Sequence, residues 1–220
     1  MPFNLSVQIL PQKKFRVKLH TLLFCCEVLM VEADFRASIG KSLRSHKRRA
    51  AESSAGALPS RVDCTSNFVY LSELKHLVGL CAWWAFKTWS KYNSAYTFTR
   101  RVESFARHCN LNEIPLTVLY IDDEGLPLGM ASLRLNDGIR PDIGPWLGSV
   151  YVDPAVRARG IGTELVKEIE RKARNLGYMK IYLLTYEDTL QDWYAGLGWK
   201  TIGKDVCHGN EVTVMELDLV

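Results

Sequence analysis

The sequence predicts a mixed α/β (α+β) domain over residues 68–220, preceded by a basic extension over residues 1–67. Three observations carry that expectation. Leu147, Val150, Tyr151 and Val152 form a short apolar strand, and Leu165, Val166, Ile169, Ala173 and Leu176 behind it repeat at helical spacing. The residues from Pro115 onward have the apolar runs and turn residues of a hairpin. After the central helix the pattern alternates strand, short helix and strand.

Length and composition frame that domain. With 220 residues and 47% apolar content, one ordinary core plus an appendage is expected. The net charge of +4 is uneven: residues 1–67 hold 11 Lys and Arg against 5 acids, leaving 17 against 19 for the rest. The domain therefore lacks the basic balance of a nucleic-acid binder, and nucleic acid is not an expected partner. Cysteines at 25, 26, 64, 81, 109 and 207 show no CxxC pair and no regular spacing. They read as reduced thiols of a cytoplasmic protein, and no metal site is expected.

In the extension, Lys13, Lys14, Arg16 and Lys18 precede an apolar run at residues 22–31. Glu27 interrupts the run and no small-x-small cleavage site follows, so it does not read as a signal peptide. A run of about ten residues is also too short to span a bilayer. Lys41, Arg44, Lys47, Arg48 and Arg49 then make a charged stretch, and residues 53–60 are small, so a solvated linker and a domain boundary are expected here.

Residues 71–91 carry Leu74, Leu77, Val78, Cys81, Trp84, Ala85 and Trp89 near a helical period, with Ser72 as a candidate cap. Residues 97–109 repeat the pattern with Phe98, Val102 and Phe105. The aromatic cluster Trp83, Trp84, Phe86, Trp89, Tyr92 and Tyr96 reads first as core packing. Leu116–Ile121 and residues 128–135 are strands about the turn Asp122-Asp123-Glu124-Gly125. A loop rich in Asn, Asp, Gly and Pro over residues 136–145 leads into the apolar strand, which Asp153-Pro154 ends. The long helix should stop at Gly177. Lys180–Thr185 is a strand, residues 190–197 a short helix broken by Gly198-Trp199, and strands follow through Ile202 and over residues 212–219.

Between strand and long helix lies Arg157-Ala158-Arg159-Gly160-Ile161-Gly162-Thr163. Its glycines let the backbone approach a ligand, and the first amides of the helix have no partner inside it. Free amides, the helix dipole and two arginines make an anion site suited to phosphate. A nucleotide P-loop wants lysine after its last glycine, and here Thr163 follows Gly162. A dinucleotide fingerprint wants a third glycine where this chain has Leu165. Both patterns fit poorly.

The turn instead resembles motif A of the GNAT superfamily of N-acetyltransferases, Arg/Gln-x-x-Gly-x-Gly/Ala, with Arg157, Gly160 and Gly162 at the signature positions. Trp193-Tyr194-Ala195-Gly196-Leu197-Gly198-Trp199 resembles the family's Tyr-x-x-x-Gly-Phe segment, Trp199 standing for the phenylalanine. The run from Arg140 through Pro145-Trp146 to Val150-Tyr151-Val152 resembles the approach to motif A in one bacterial branch.

The resemblance, covering residues 69–220, implies a GNAT-like sheet, mixed but mostly antiparallel, flanked by helices. It implies an acetyl-CoA dependent transferase that moves acetyl to a primary amine by direct attack in a ternary complex. Arg157, Ala158, Arg159, Gly160, Ile161, Gly162 and Thr163 would hold the pyrophosphate of acetyl-CoA. The strand end Val150, Tyr151 and Val152 would pair with the pantetheine arm and polarise the thioester near Val152. Tyr194 would protonate the leaving thiolate, and the first two helices would wall the acceptor pocket. Asp142, Glu187, Asp188 and His208 are base candidates by residue type, with a water relay as the other route. The acceptor is a small-molecule or protein amine. The alternative function is a catalytically silent acyl-CoA binding regulator.

Overall fold

The computed structural model describes residues 67–219. The features read at residues 22–31, 41–49 and 53–60 of the extension lie outside the described residues. The compact unit below comprises residues 67–123 and 127–219; residues 124–126 belong to a separate unit.

Seven strands form one sheet among the described residues: β1 (Phe68–Tyr70), β2 (Leu116–Ile121), β3 (Pro127–Arg134), β4 (Trp146–Val152), β5 (Lys180–Thr185), β6 (Lys200–Cys207) and β7 (Asn210–Asp218). Their spatial order is β1-β2-β3-β4-β5-β7-β6, and every pairing is antiparallel except β4 with β5. Four helices accompany them: α1 (Val78–Trp89), α2 (Phe98–Ala106), α3 (Ile161–Asn175) and α4 (Asp188–Gly196). This is the mixed, mostly antiparallel sheet expected from the sequence.

The strand period distributes the core over both faces. Val150 and Val152 belong with Ile161, Leu165, Val166 and Ile169 of α3 in one cluster, together with Val118, Ala131 and Leu133. Tyr151 between them points the other way and stacks on Trp84 of α1, ring centroids 4.8 Å apart. A second cluster, Trp146, Val212, Val214 and Cys207 with Ile139, packs the loop ahead of β4 onto β7 and β6, and Trp146 donates its indole N–H to the Ile143 carbonyl at 2.9 Å. The stop at Gly177 is a Schellman motif. Tyr178 N–H reaches the Ala173 carbonyl and Gly177 N–H the Arg174 carbonyl, with Gly177 at φ +86°.

Several boundaries differ from the sequence reading. The helix expected over residues 71–91 begins only at Val78. Phe68–Tyr70 pairs with β2, and a 3-10 turn at Lys75–Leu77 follows. Ser72 is not the cap; its hydroxyl is buried without a partner, and Leu71, Leu74 and Leu77 are buried from turns rather than from a helix. The second helix ends at Ala106 rather than 109, and Thr97 caps it by accepting from Arg100 N–H at 3.3 Å. Helix α4 starts at Asp188 instead of Leu190. Strand β6 continues past Ile202 to Cys207, and β7 begins at Asn210 after the two-residue turn His208-Gly209, both at positive φ. As an edge strand, β6 is mostly exposed, so its polar residues carry no hydrophobic signal.

Candidate functional site

The site grows from a fork in the sheet. β4 and β5 pair only at Trp146 with Tyr182 and Leu147 with Leu183. Beyond Leu147 the two strands diverge, because β5 continues along β7 while β4 stays with β3. On the β3 side, the register shifts between Met130 and Ser132, leaving Ser149 and Val150 opposite Ala131, with Ser149 at φ +51°. The irregularity thus falls at Ser149 and Val150, ahead of Val152. It re-aims backbone groups where β4 has no neighbour on its β5 side.

At the open end of the fork stands the basic glycine turn. Asp153 caps a short 3-10 turn over Pro154–Val156 by accepting from Ala155 N–H at 3.0 Å. The chain then passes through Ala158 at φ +61° and Gly160 at φ +82° into α3. Gly160 is required by its backbone conformation. The first internal bond of the helix is Glu164 N–H to the Gly160 carbonyl at 3.1 Å, and the amides of residues 157–163 have no partner among the described residues. Arg157 donates Nε–H to the Val152 carbonyl at 3.1 Å, tying the turn to the strand end, and Arg159 is exposed. A Cβ on Gly162 would stand 3.5 Å from Trp193 and 3.7 Å from Val152. The end of β4, the start of α3 and the middle of α4 therefore meet at one point.

Tyr194 lies deeper in the fork. Its ring is 7% exposed and packs against Trp193 and Trp199, at centroid distances of 4.6 and 5.9 Å. Its hydroxyl has no hydrogen-bond partner among the described residues, and burial raises its pKa, so it stays protonated. It borders a cavity of about 140 Å³ shared with Leu147, Gly148, Ser149, Val150 and Thr185. That is comparable to a void that holds one benzene ring, room for a thioester tip and an amine end.

The rest of the wall combines aromatic residues that the sequence reading took first as core with two arginines, Arg101 and Arg134, that it did not single out. Trp89, Tyr92, Tyr96 and Arg101 come from α1, α2 and their connection. The aromatic cluster thus divides its work: Trp84 is fully buried core, while Trp89, Tyr92 and Tyr96 face the cavity. Tyr92 stacks on Tyr186, centroids 3.9 Å apart and nearly parallel. Arg134 ends β3, bonds Ser149 Oγ at 3.0 Å and pairs with Asp137 at 2.6 Å. A signal for it existed, an arginine closing an apolar strand with an aspartate three residues on, but nothing local says it faces a pocket.

Of the four base candidates, Glu187 and His208 border the cavity. Glu187 accepts from Tyr92 Oη at 3.2 Å, and Tyr96 meets the His208 ring edge to face at 5.6 Å. Asp188 instead accepts from Gln191 at 2.8 Å, and Asp142 is exposed outside the cavity wall. Among the described residues no group of three His, Cys, Asp or Glu side chains could hold a metal ion. Nor is any helix there long and apolar enough to cross a membrane.

Comparison with known proteins agrees with this architecture. No curated protein matches the chain. Among solved structures, aminoglycoside 6'-acetyltransferase type Ii is 19% identical with a TM-score of 0.53, over 70% of this chain and 97% of its own. An aminoglycoside 6'-N-acetyltransferase complexed with coenzyme A is 19% identical with a TM-score of 0.52, over 74% and 98%. A GNAT-family acetyltransferase from Staphylococcus aureus Mu50 is 15% identical with a TM-score of 0.54, over 70% and 99%. At such identities the likeness is one of fold. The model of the acetyltransferase (GNAT) family matches residues 80–199, more than half of the sequence and including both motifs, and the chain belongs to that family.

Proposed function

We propose that this site transfers acetyl directly from acetyl-CoA to a primary amine while both are bound, and that Tyr194 is its general acid. The chain is an N-acetyltransferase with acetyl-CoA as co-substrate. The observation that carries the finer reading is the fork. Among the described residues, the amides at its mouth have no partner and β4 has no neighbour on its β5 side beyond Leu147, and a protonated phenol lies at its base.

In this reading the amides of residues 157–163, helped by Arg159 and the α3 dipole, hold the pyrophosphate. The edge of β4 that faces the fork over Val150, Tyr151 and Val152 binds the pantetheine arm as an added strand would. A backbone N–H re-aimed by the irregularity at Ser149 and Val150 stabilises charge developing on the thioester oxygen. The amine attacks the thioester carbon, the carbon–sulfur bond breaks, and Tyr194 delivers its proton to the departing thiolate. Glu187 and His208 are the base candidates that the cavity wall supports. Residues 68–220 are the acetyltransferase domain of this reading and residues 1–67 its extension, in a cytoplasmic protein. Unpaired Cys81, Cys109 and Cys207 support that compartment.

The test is thiol release from acetyl-CoA by the full chain against a panel of primary amines, beside calorimetric binding of CoA. Release with at least one amine is expected. CoA binding without release from any amine would remove the transfer reading and leave the silent regulator; no CoA binding would remove both.

A further inference from the structure

The charged groups around the cavity are unevenly committed. Asp137 is held by Arg134, and Glu187 by Tyr92 Oη and by Lys91 at 3.6 Å. Both carboxylates that border the cavity therefore have protein partners. The two arginines are under-used: the Nε atoms of Arg101 and Arg134 are buried without a hydrogen-bond partner among the described residues. Arg101 has no carboxylate partner among the described residues, and its guanidinium lies 4.0 Å from the Tyr96 ring centroid. Burial lowers its pKa, and the charge of Arg134 adds to that effect. Two cations, one of them without a carboxylate partner among the described residues, in a half-buried pocket call for an anion.

Arg134 is also seated deliberately at the fork. A Cβ on Gly148 would stand 2.0 Å from its Nη2 and 2.6 Å from Cζ. Only a residue without a side chain at 148 lets the guanidinium lie on β4 beside the irregular Ser149. Arg101 reaches the same cavity from α2, on the side that the helices wall.

We propose that the acceptor is a small amine that also carries a carboxylate, an amino-acid-like zwitterion, with Arg101 as the principal anchor of the carboxylate and Arg134 beside it. The inference deepens the acetyl-transfer reading and rests on it. A polycationic acceptor would instead want free carboxylates at this wall, and both of those present are already engaged. Planar guanidinium groups suit a carboxylate geometrically, through paired N–H donors.

The test uses the full chain and the protein amino acids, each beside its own decarboxylated amine, such as L-phenylalanine beside 2-phenylethylamine. Thiol release gives kcat/KM for both members of each pair. At least one amino acid should exceed its amine by roughly tenfold to a hundredfold, the worth of one charge-assisted hydrogen bond. That ratio should collapse in Arg101→Gln and return in part in Arg101→Lys. Amines turned over as well as or better than every amino acid would overturn the proposal, as would a ratio unmoved by Arg101→Gln. A calorimetric arm on the unaltered protein with CoA compares N-acetylated amino acids with N-acetylated amines, so neither a variant that fails to fold nor absent turnover leaves the question open. If no amine releases thiol, the transfer reading fails by itself. The anion site then stands if the carboxylates bind at least tenfold tighter and falls if they do not.

Discussion

Replacing Tyr194 with phenylalanine separates chemistry from structure unusually well in this protein. The change removes one oxygen and keeps the ring against Trp193 and Trp199. Because the hydroxyl has no hydrogen-bond partner among the described residues, no buried partner is orphaned. The stability change should stay within about 1 kcal/mol, or about 4 °C in Tm at this size. A general acid contributes typically 10²–10⁴-fold, which corresponds to about 3–5 kcal/mol of barrier. Single-turnover thiol release at saturating acetyl-CoA should therefore slow by about a hundredfold or more, while the calorimetric Kd for CoA moves less than about twofold. An unchanged single-turnover rate would refute the role of Tyr194. A rate loss accompanied by a Tm loss well beyond about 4 °C would refute the structural premise that the hydroxyl has no buried partner.

The glycine turn makes a sharper contrast between neighbours. Gly160 sits at φ +82° with open space around it, so Gly160→Ala strains the backbone by about 1–2 kcal/mol without a clash and should weaken calorimetric CoA binding by about fivefold or more. Gly162→Ala meets Trp193 at ordinary contact distance and should keep Tm within a few degrees; comparable CoA affinities in unaltered protein and Gly160→Ala would sink the account of the turn. His108 supplies a pH dependence. It is 5% exposed, shares a bond of 2.9 Å with Thr117, and burial followed by the charges of Arg134 and Arg107 lowers its pKa to about 3. The folded protein thus resists a proton that the unfolded chain accepts near pH 6.5, so the contribution is whole above that pH and is lost as pH falls toward 3. Denaturant unfolding should show stability dropping by about 1 kcal/mol per pH unit through that window, with the drop reduced in His108→Gln; parallel profiles for the two proteins would refute it.

Helix α3, its stop and the turn before it were legible in the sequence because each depends on residues close together in the chain. The apolar stripe Leu165, Val166, Ile169 and Ala173 requires only a helical period, Gly177 only a left-handed cap, and Gly160 only a backbone that L side chains resist. The hairpin of β2 and β3 and the short helix around Tyr194 are local in the same sense. The boundaries that moved are those where tertiary packing overrode spacing. Leu71, Leu74 and Leu77 keep a helical interval yet are buried from turns, since Phe68–Tyr70 is drawn into the sheet edge.

What the sequence determined by itself was the basic glycine turn, the order of elements after β1 and the tyrosine with its aromatic neighbours, and through them the family. The tertiary structure alone decided where β4 parts from β5, that the irregularity falls at Ser149, and that Arg101 and Arg134 share one wall with Glu187 and His208. Those facts depend on strands and helices far apart in the chain meeting in space. A local pattern records which surface a residue buries, but carries no information about what stands on the other side of a cavity.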